Sequence, residues 1–236
     1  MIISVVAHGD EIQSELLQNK TVVVIDVFRS GSVIITALAQ GAKAVIPTET
    51  VATAKAAAQP DRILAGERFG KKIDGFLLGN SPLEYTAPVV SNKEIVLTTT
   101  NGTRALVKSS RGKHILIGSF LNASALCDKI LQLRQDLVLV CAGTRGSFSL
   151  EDGIAAGLFI DQLFQKKIPL TCDDLGIALR HSYLNMKDHL YEKLSFSNTG
   201  KRMLQAGLKE ELRACLQIDQ YHHVPQFYKG RISISH

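Results

Sequence analysis

The sequence predicts an α/β fold of three layers: a largely parallel central sheet with helices on both faces and a helical C-terminal extension. Three observations carry this expectation. Short apolar runs rich in Val and Ile recur from the amino terminus to Cys141, as strands buried on both faces do. Segments with helical spacing separate most of them, as right-handed crossovers between parallel strands require. Beyond Thr171 the pattern turns helical and more polar.

In chain order, the strands are expected at Ile2–Ala7, Thr21–Val27, Ala44–Pro47, Arg62–Ala65, Ile95–Thr99, His114–Ile117 and Leu137–Cys141. Helices are expected at Ser32–Gln40, Val51–Ala58, Thr103–Ser109, Asn122–Leu133 and Leu150–Phe164, then at Leu175–Leu190 and Asn198–Leu216, followed by an extended tail from Val224. A length of 236 residues suits one large α/β domain. No linker rich in Pro, Gly or Ser divides the chain, so residues 1–236 read as a single domain.

Composition narrows the function. The chain is 45% hydrophobic and 21% charged, and Lys plus Arg exceed Asp plus Glu by 27 to 22. The positive charges are scattered and there is no Trp. This favours small anionic ligands over nucleic acid, which needs clustered cations with stacking rings. Cys127, Cys141, Cys172 and Cys215 form no CxxC pair, as expected of reduced thiols. No basic leader precedes Ile2, and no run reaches a membrane-spanning length; a cytoplasmic protein is expected, with no membrane partner. Homo-oligomerisation is left open.

In such a sheet the ligand crevice lies beyond the carboxyl ends of the strands, where four constellations fall. The first is IDVFRSGS, which delivers Asp26 and Arg29 and opens a helix at Ser30 and Ser32. The free amides of that helix start can face an anion, although Asp26 and Arg29 also suit a structural pair and Ser32 an N-cap. The second is LTTTNGTRAL, a hydroxyl-rich turn through Thr99, Thr100, Asn101, Gly102 and Thr103 with Arg104 in the following helix. In the third, Glu67 ends a strand, Asn80-Ser81-Pro82 looks like a helix entry, and Lys71, Lys72 and Asp74 lie on the solvent side of the intervening loop. The fourth is CAGTRGSFSLED, carrying Cys141, Gly143, Thr144 and Arg145, then Glu151 and Asp152 in a first helical turn. Stabilising the helix start accounts for Glu151. Asp26, Glu67 and Asp152 are the candidate ligands of a hard divalent cation, which takes one or two carboxylates when phosphate and water supply the rest.

Established phosphatase signatures are missing. Two residues beyond Asp26 stands Phe28, so there is no Asp-x-Asp, and Ser147 stands where Cys141-x₅-Arg would need an arginine. There is no P-loop and no HExxH helix. His8, His114, His181, His189, His222, His223 and His236 show no ligand spacing.

Taken together, IDVFRSGS, AGER, GNSPLEYT, TTTNGTRAL, IGSFLNASA, VCAGTRGSFSLEDGIAAG and Val224-Pro225 resemble the 2-phosphosulfolactate phosphatases, in order and spacing, from about Val22 to Pro225. That family commonly reads Arg-Ala-Thr-Ser where this chain has Arg29-Ser30-Gly31-Ser32. A Thr hydroxyl is therefore missing at Gly31, while the backbone amides stay available.

The resemblance implies a magnesium-dependent acid phosphatase of the kind first associated with coenzyme M synthesis, acting on 2-phospho-3-sulfolactate. Arg29, Arg104 and either Arg145 or Arg68, with the hydroxyl and amide turns, would receive its acidic groups. Three nucleophiles stay open: Asp26, a metal-bound water and Cys141. Two rival readings are a phosphatase for another small phosphorylated acid and a non-catalytic anion-binding protein.

Overall fold

The computed structural model describes residues 1–234; His236 lies outside them. The first half of the chain forms β1 (Ile2–Val6), α1 (Ser14–Leu17), β2 (Thr21–Ile25), α2 (Ser30–Ala39), β3 (Ala44–Thr48), α3 (Val51–Ala56), β4 (Arg62–Arg68), β5 (Lys71–Lys72), α4 (Ala87–Val90) and β6 (Glu94–Thr98). There follow α5 (Gly102–Lys108), β7 (His114–Gly118), α6 (Ala123–Leu133), β8 (Leu137–Cys141), α7 (Leu150–Gln165) and β9 (Thr171–Cys172). The extension consists of α8 (Asp174–Met186), α9 (Leu190–Ser195), α10 (Asn198–Gln205), α11 (Lys209–Cys215), β10 (Pro225–Tyr228) and β11 (Arg231–Ile234).

Strand alternation divides the core between two faces. Val23 and Ile25 of β2, with Leu137, Leu139 and Cys141 of β8, pack against α6 and α7. Val22, Val24, Val138 and Val140 point the other way, into a second cluster with α2 and α5. Apolar residues at odd and even positions alike are what a strand buried on both faces demands. The extension packs on the first of these clusters, through Leu190, Leu194, Met203, Leu212 and Cys215. No helix among the described residues is long and apolar enough to cross a membrane.

Among the described residues the sheet has eleven strands, in the order β5-β4-β6-β3-β11-β10-β7-β2-β8-β1-β9. It is two parallel groups joined by a hairpin: β4, β6 and β3 on one side, β7, β2, β8, β1 and β9 on the other. The C-terminal segment is thus not a simple extended tail. Its strands pair antiparallel with each other, with β7 and with β3. Lys229 and Gly230, both at positive φ, make the two-residue turn. Arg231 on β11 and Arg62 on β4 both bond Glu94, at the start of β6. The helix expected over Asn198–Leu216 is broken between α10 and α11, where Gly207 takes φ 77°.

The crossovers explain how distant motifs meet. β2–α2–β3 and β6–α5–β7 each leave one parallel group and return in the other, so the helix starts following β2 and β6 come together near the junction.

Ile232 of β11 is fully buried and pairs with Val45 of β3. Truncating Ile232→Ala should lower unfolding free energy by about 2–5 kcal/mol, measured as a shift in urea midpoint at constant m. A loss well under 1 kcal/mol would show that the hairpin does not join the two groups.

Candidate active site

The strand ends converge on one cleft of about 270 Å³. Asp26, Phe28 and Arg29 line it from the loop after β2, Glu67, Phe69, Gly70 and Lys71 from the β4–β5 hairpin, and Asn80 from the loop beyond. Thr99, Thr100 and Asn101 follow β6, and Thr144 and Arg145 follow β8. Asp26, Arg29 and the Asn101 turn therefore face one space, as the sequence motifs require.

Asp26 follows the last residue of β2, at 8% exposure. Its Oδ2 accepts from Ser30 Oγ at 2.9 Å and its Oδ1 from Ser30 N at 3.2 Å. Gly31 N donates to the Asp26 backbone carbonyl at 2.8 Å. These first amides of α2 were expected to face a ligand, but the protein's own aspartate takes them. Ser32 Oγ is likewise spent on Val27 O at 2.9 Å. At Gly31 a Cβ would lie 2.7 Å from the Asp26 carbonyl oxygen, so the glycine suits this tight turn. Gly102, at the start of α5, supports the same corner: any Cβ there would overlap Ser30 Oγ and Asp26 Oδ2.

Glu67 joins two turns. Its Oε1 accepts from both Thr100 N and Thr100 Oγ1 at 2.8 Å, and its Oε2 from Gly70 N at 2.6 Å. Thr103 fixes its own helix start through Thr99 O at 3.0 Å. Arg145 N donates to Asn101 Oδ1 at 3.3 Å, tying the β8 loop to the β6 turn. Arg68, considered as a ligand cation, is occupied by Glu67 O, Glu49 O and Thr98 Oγ1. Ser81 reaches Glu211 at 3.4 Å and does not line the cleft. Lys71, Lys72 and Asp74 are exposed, as expected, with Lys71 also on the cleft wall.

Arg29 is the distinctive cation. It is 9% exposed, lines the cleft, and its side chain has no hydrogen bond or ion pair among the described residues. Its donors meet the cleft, where an anion would give them a partner in a poorly solvated setting. Asn80 adds a buried side-chain oxygen, Oδ1, that has no partner among the described residues.

Three buried acids cluster behind the floor. Asp152 Oδ1 accepts from Val27 N at 2.8 Å and Oδ2 from Gly143 N at 3.1 Å. Burial, then the nearby Asp26 and Glu151 charges, push its carboxyl well above the usual range. Burial also raises Asp26 to about 6, against the pull of its two Ser30 bonds and with help from Glu67 and Glu151. Glu151 is raised too, chiefly by burial. Its role extends beyond a helix start, since it sits 2% exposed in this cluster.

The structure corrects three assignments. Cys141 is fully buried against α6 and α7, where burial raises its thiol well above the ordinary value; it is a packed core side chain, not a nucleophile. Its shared face with Leu137 and Leu139 follows from strand alternation, a signal the sequence already held. Arg104, with its side chain 57% exposed, bonds Asp10 Oδ1 at 3.0 Å and lines not the cleft but an adjoining hollow with His8 and Asp10, which meets the cleft at Thr100, Asn101 and Arg145. Asp152 does not line the cleft; its oxygens accept the amides of Val27 and Gly143 behind it. No group of three His, Cys, Asp or Glu that could hold a metal ion exists among the described residues. Asp26 and Glu67, both on the cleft wall, are the acids left for such an ion.

The extension closes the cleft with Thr199, Arg202, Met203, Ala206 and Leu208. Sequence reasoning missed these residues, since isolated polar groups on a helix carry no motif.

Residues 7–230 match the family described as 2-phosphosulpholactate phosphatase. A protein of Clostridium acetobutylicum named probable 2-phosphosulfolactate phosphatase is 40% identical over 235 residues, covering 98% of this chain and 100% of the relative. One of the same name from Clostridium novyi is 39% identical, covering 99% and 100%. A third, from Caldanaerobacter subterraneus, is 40% identical over 223 residues, covering 93% and 92%. The chain belongs to the 2-phosphosulpholactate phosphatase family.

Two outcomes follow from the geometry. Cys141→Ala should retain turnover within about threefold of wild type, because the thiol acts only by packing; abolished phosphate release by folded variant would restore it as nucleophile. The second concerns pH. The folded Asp26 pKa lies above its unfolded value, so the native state holds the extra proton and the Asp26 contribution to stability is lost as pH rises from about 4 through about 6. In metal-free buffer Asp26→Asn should therefore gain on wild type across that window, by up to about 3 kcal/mol. Denaturation curves for both proteins at pH 4 and 8 measure it, and a pH-independent difference would contradict the shift.

Proposed function

We propose that this chain hydrolyses the phosphate ester of a small, acidic, three-carbon substrate, 2-phospho-3-sulfolactate, giving 3-sulfolactate and inorganic phosphate. Family membership supports a phosphoric monoester hydrolase, and the names of the relatives support this substrate. The observation that carries the reading is the pairing of a buried, unpartnered Arg29 with Asp26 on one cleft wall. A protein that merely bound anions would gain nothing from placing Asp26 and Glu67 there, because carboxylates repel an anion unless a cation intervenes.

Magnesium is part of the proposal. Asp26 and Glu67 would hold it, and the repulsion that helps raise Asp26 is what a divalent ion would relieve. When bound, the ion supplies charge neutralisation and lowers the pKa of coordinated water. The protein groups do the positioning. Arg29 neutralises charge on the phosphoryl oxygens, and its burial strengthens that interaction. The Thr99–Asn101 turn and Asn80 bound the space beside it. Ser30 fixes the Asp26 carboxylate, and Glu67 fixes the Thr100 turn and the β4–β5 turn, so both acids are preorganised. The setting is a cytoplasmic enzyme acting on a small anionic ester.

Phosphate release from 2-phosphosulfolactate, assayed with and without EDTA, tests this. EDTA should abolish turnover and added Mg²⁺ restore it, while Asp26→Asn should lower kcat by at least about a thousandfold. Release that ignores EDTA would remove the metal, and near-normal activity of Asp26→Asn would overturn the assignment of Asp26.

A further inference from the structure

The cleft carries more positive charge than one phosphate needs. Arg29, Lys71, Arg145 and Arg202 line it, against the carboxylates of Asp26 and Glu67. Glu67 already accepts from three donors. With Arg29 assigned to the phosphate, three cations stand around the mouth with no carboxylate partner in the cleft.

Arg202, exposed like the other two, is the one that stands on a helix. Lys71 follows the tip of a hairpin and Arg145 sits in an exposed loop at φ 54°. Arg202 instead rises from α10, whose start is capped by Ser197 Oγ accepting from Gly200 N at 2.9 Å. Its Nη2 donates to Thr199 Oγ1 at 3.2 Å. The fork of N–H donors suits a planar or trigonal oxyanion at the cleft wall.

We propose that Arg202 is a specificity-determining residue that binds a second acidic group of the ester, a carboxylate or sulfonate. The assignment rests on the phosphatase reading above and extends it from the phosphate to the rest of the substrate. It also gives the C-terminal extension a task in substrate selection.

Three esters that carry a secondary phosphate on a three-carbon skeleton separate the terms: glycerol 2-phosphate, 2-phospholactate and 2-phosphosulfolactate have zero, one and two further acidic groups. In Arg202→Gln the ratio of kcat/KM for 2-phosphosulfolactate over glycerol 2-phosphate should fall by about tenfold or more, mainly through KM. Arg202→Lys should recover part of the ratio, since charge returns without the fork. Each ratio is internal to one preparation, so partial misfolding cancels. An unchanged ratio in Arg202→Gln overturns the assignment. If the wild-type chain releases phosphate from none of the three esters, the phosphatase reading itself fails, and that result is seen before any variant is made.

Discussion

The cleft depends on the carboxylate of Asp152. One of its oxygens accepts the amide of Val27 and the other that of Gly143, so a single buried side chain fixes the loops leaving two adjacent strands. Those loops carry Asp26 and Arg29 on one side and Thr144 and Arg145 on the other. Moving this acid away would free both loops and leave two buried amides unsatisfied. The fold accepts a cost for it: Asp152, Asp26 and Glu151 crowd together in a poorly solvated floor, and each carboxyl is raised by burial. Such strain belongs to a site arranged for a charged ligand rather than for stability alone.

Topology supplies the remaining convergence. The C-terminal hairpin sits between the two parallel groups, and both crossovers between β2 and β3 and between β6 and β7 pass from one group to the other. The turns after β2 and β6 are brought so close that only glycine fits at position 102. The extension then returns over the opening through α10. The chain thus uses its C-terminal extension twice, once to join the sheet and once to complete the cleft wall.

The sheet was legible because its strands are buried on both faces. Runs such as Val22-Val23-Val24-Ile25 and Leu137-Val138-Leu139-Val140 leave little doubt about state, and Asp26 and Gly143 stand just beyond them. The site was legible where a charged residue follows such a run, as at Asp26, Arg29, Glu67 and Arg145. Hydroxyls misled: the types of Ser30, Ser32 and Thr103 suit a ligand contact or a turn of their own, and all three bond their own turns. Arg202 and the hairpin were hidden for another reason, since both depend on contacts remote in sequence. Nothing near Pro225 says that β7 and β3 stand ready to pair with it.

The most direct test of this account is a crystal structure of the chain with Mg²⁺ and orthovanadate, a mimic of the phosphoryl group. Vanadate should sit within hydrogen-bonding distance of the Arg29 guanidinium, with the metal between it and the carboxylates of Asp26 and Glu67. Vanadate bound instead in the hollow beside His8 and Arg104, with Arg29 still unpartnered, would contradict the central claim.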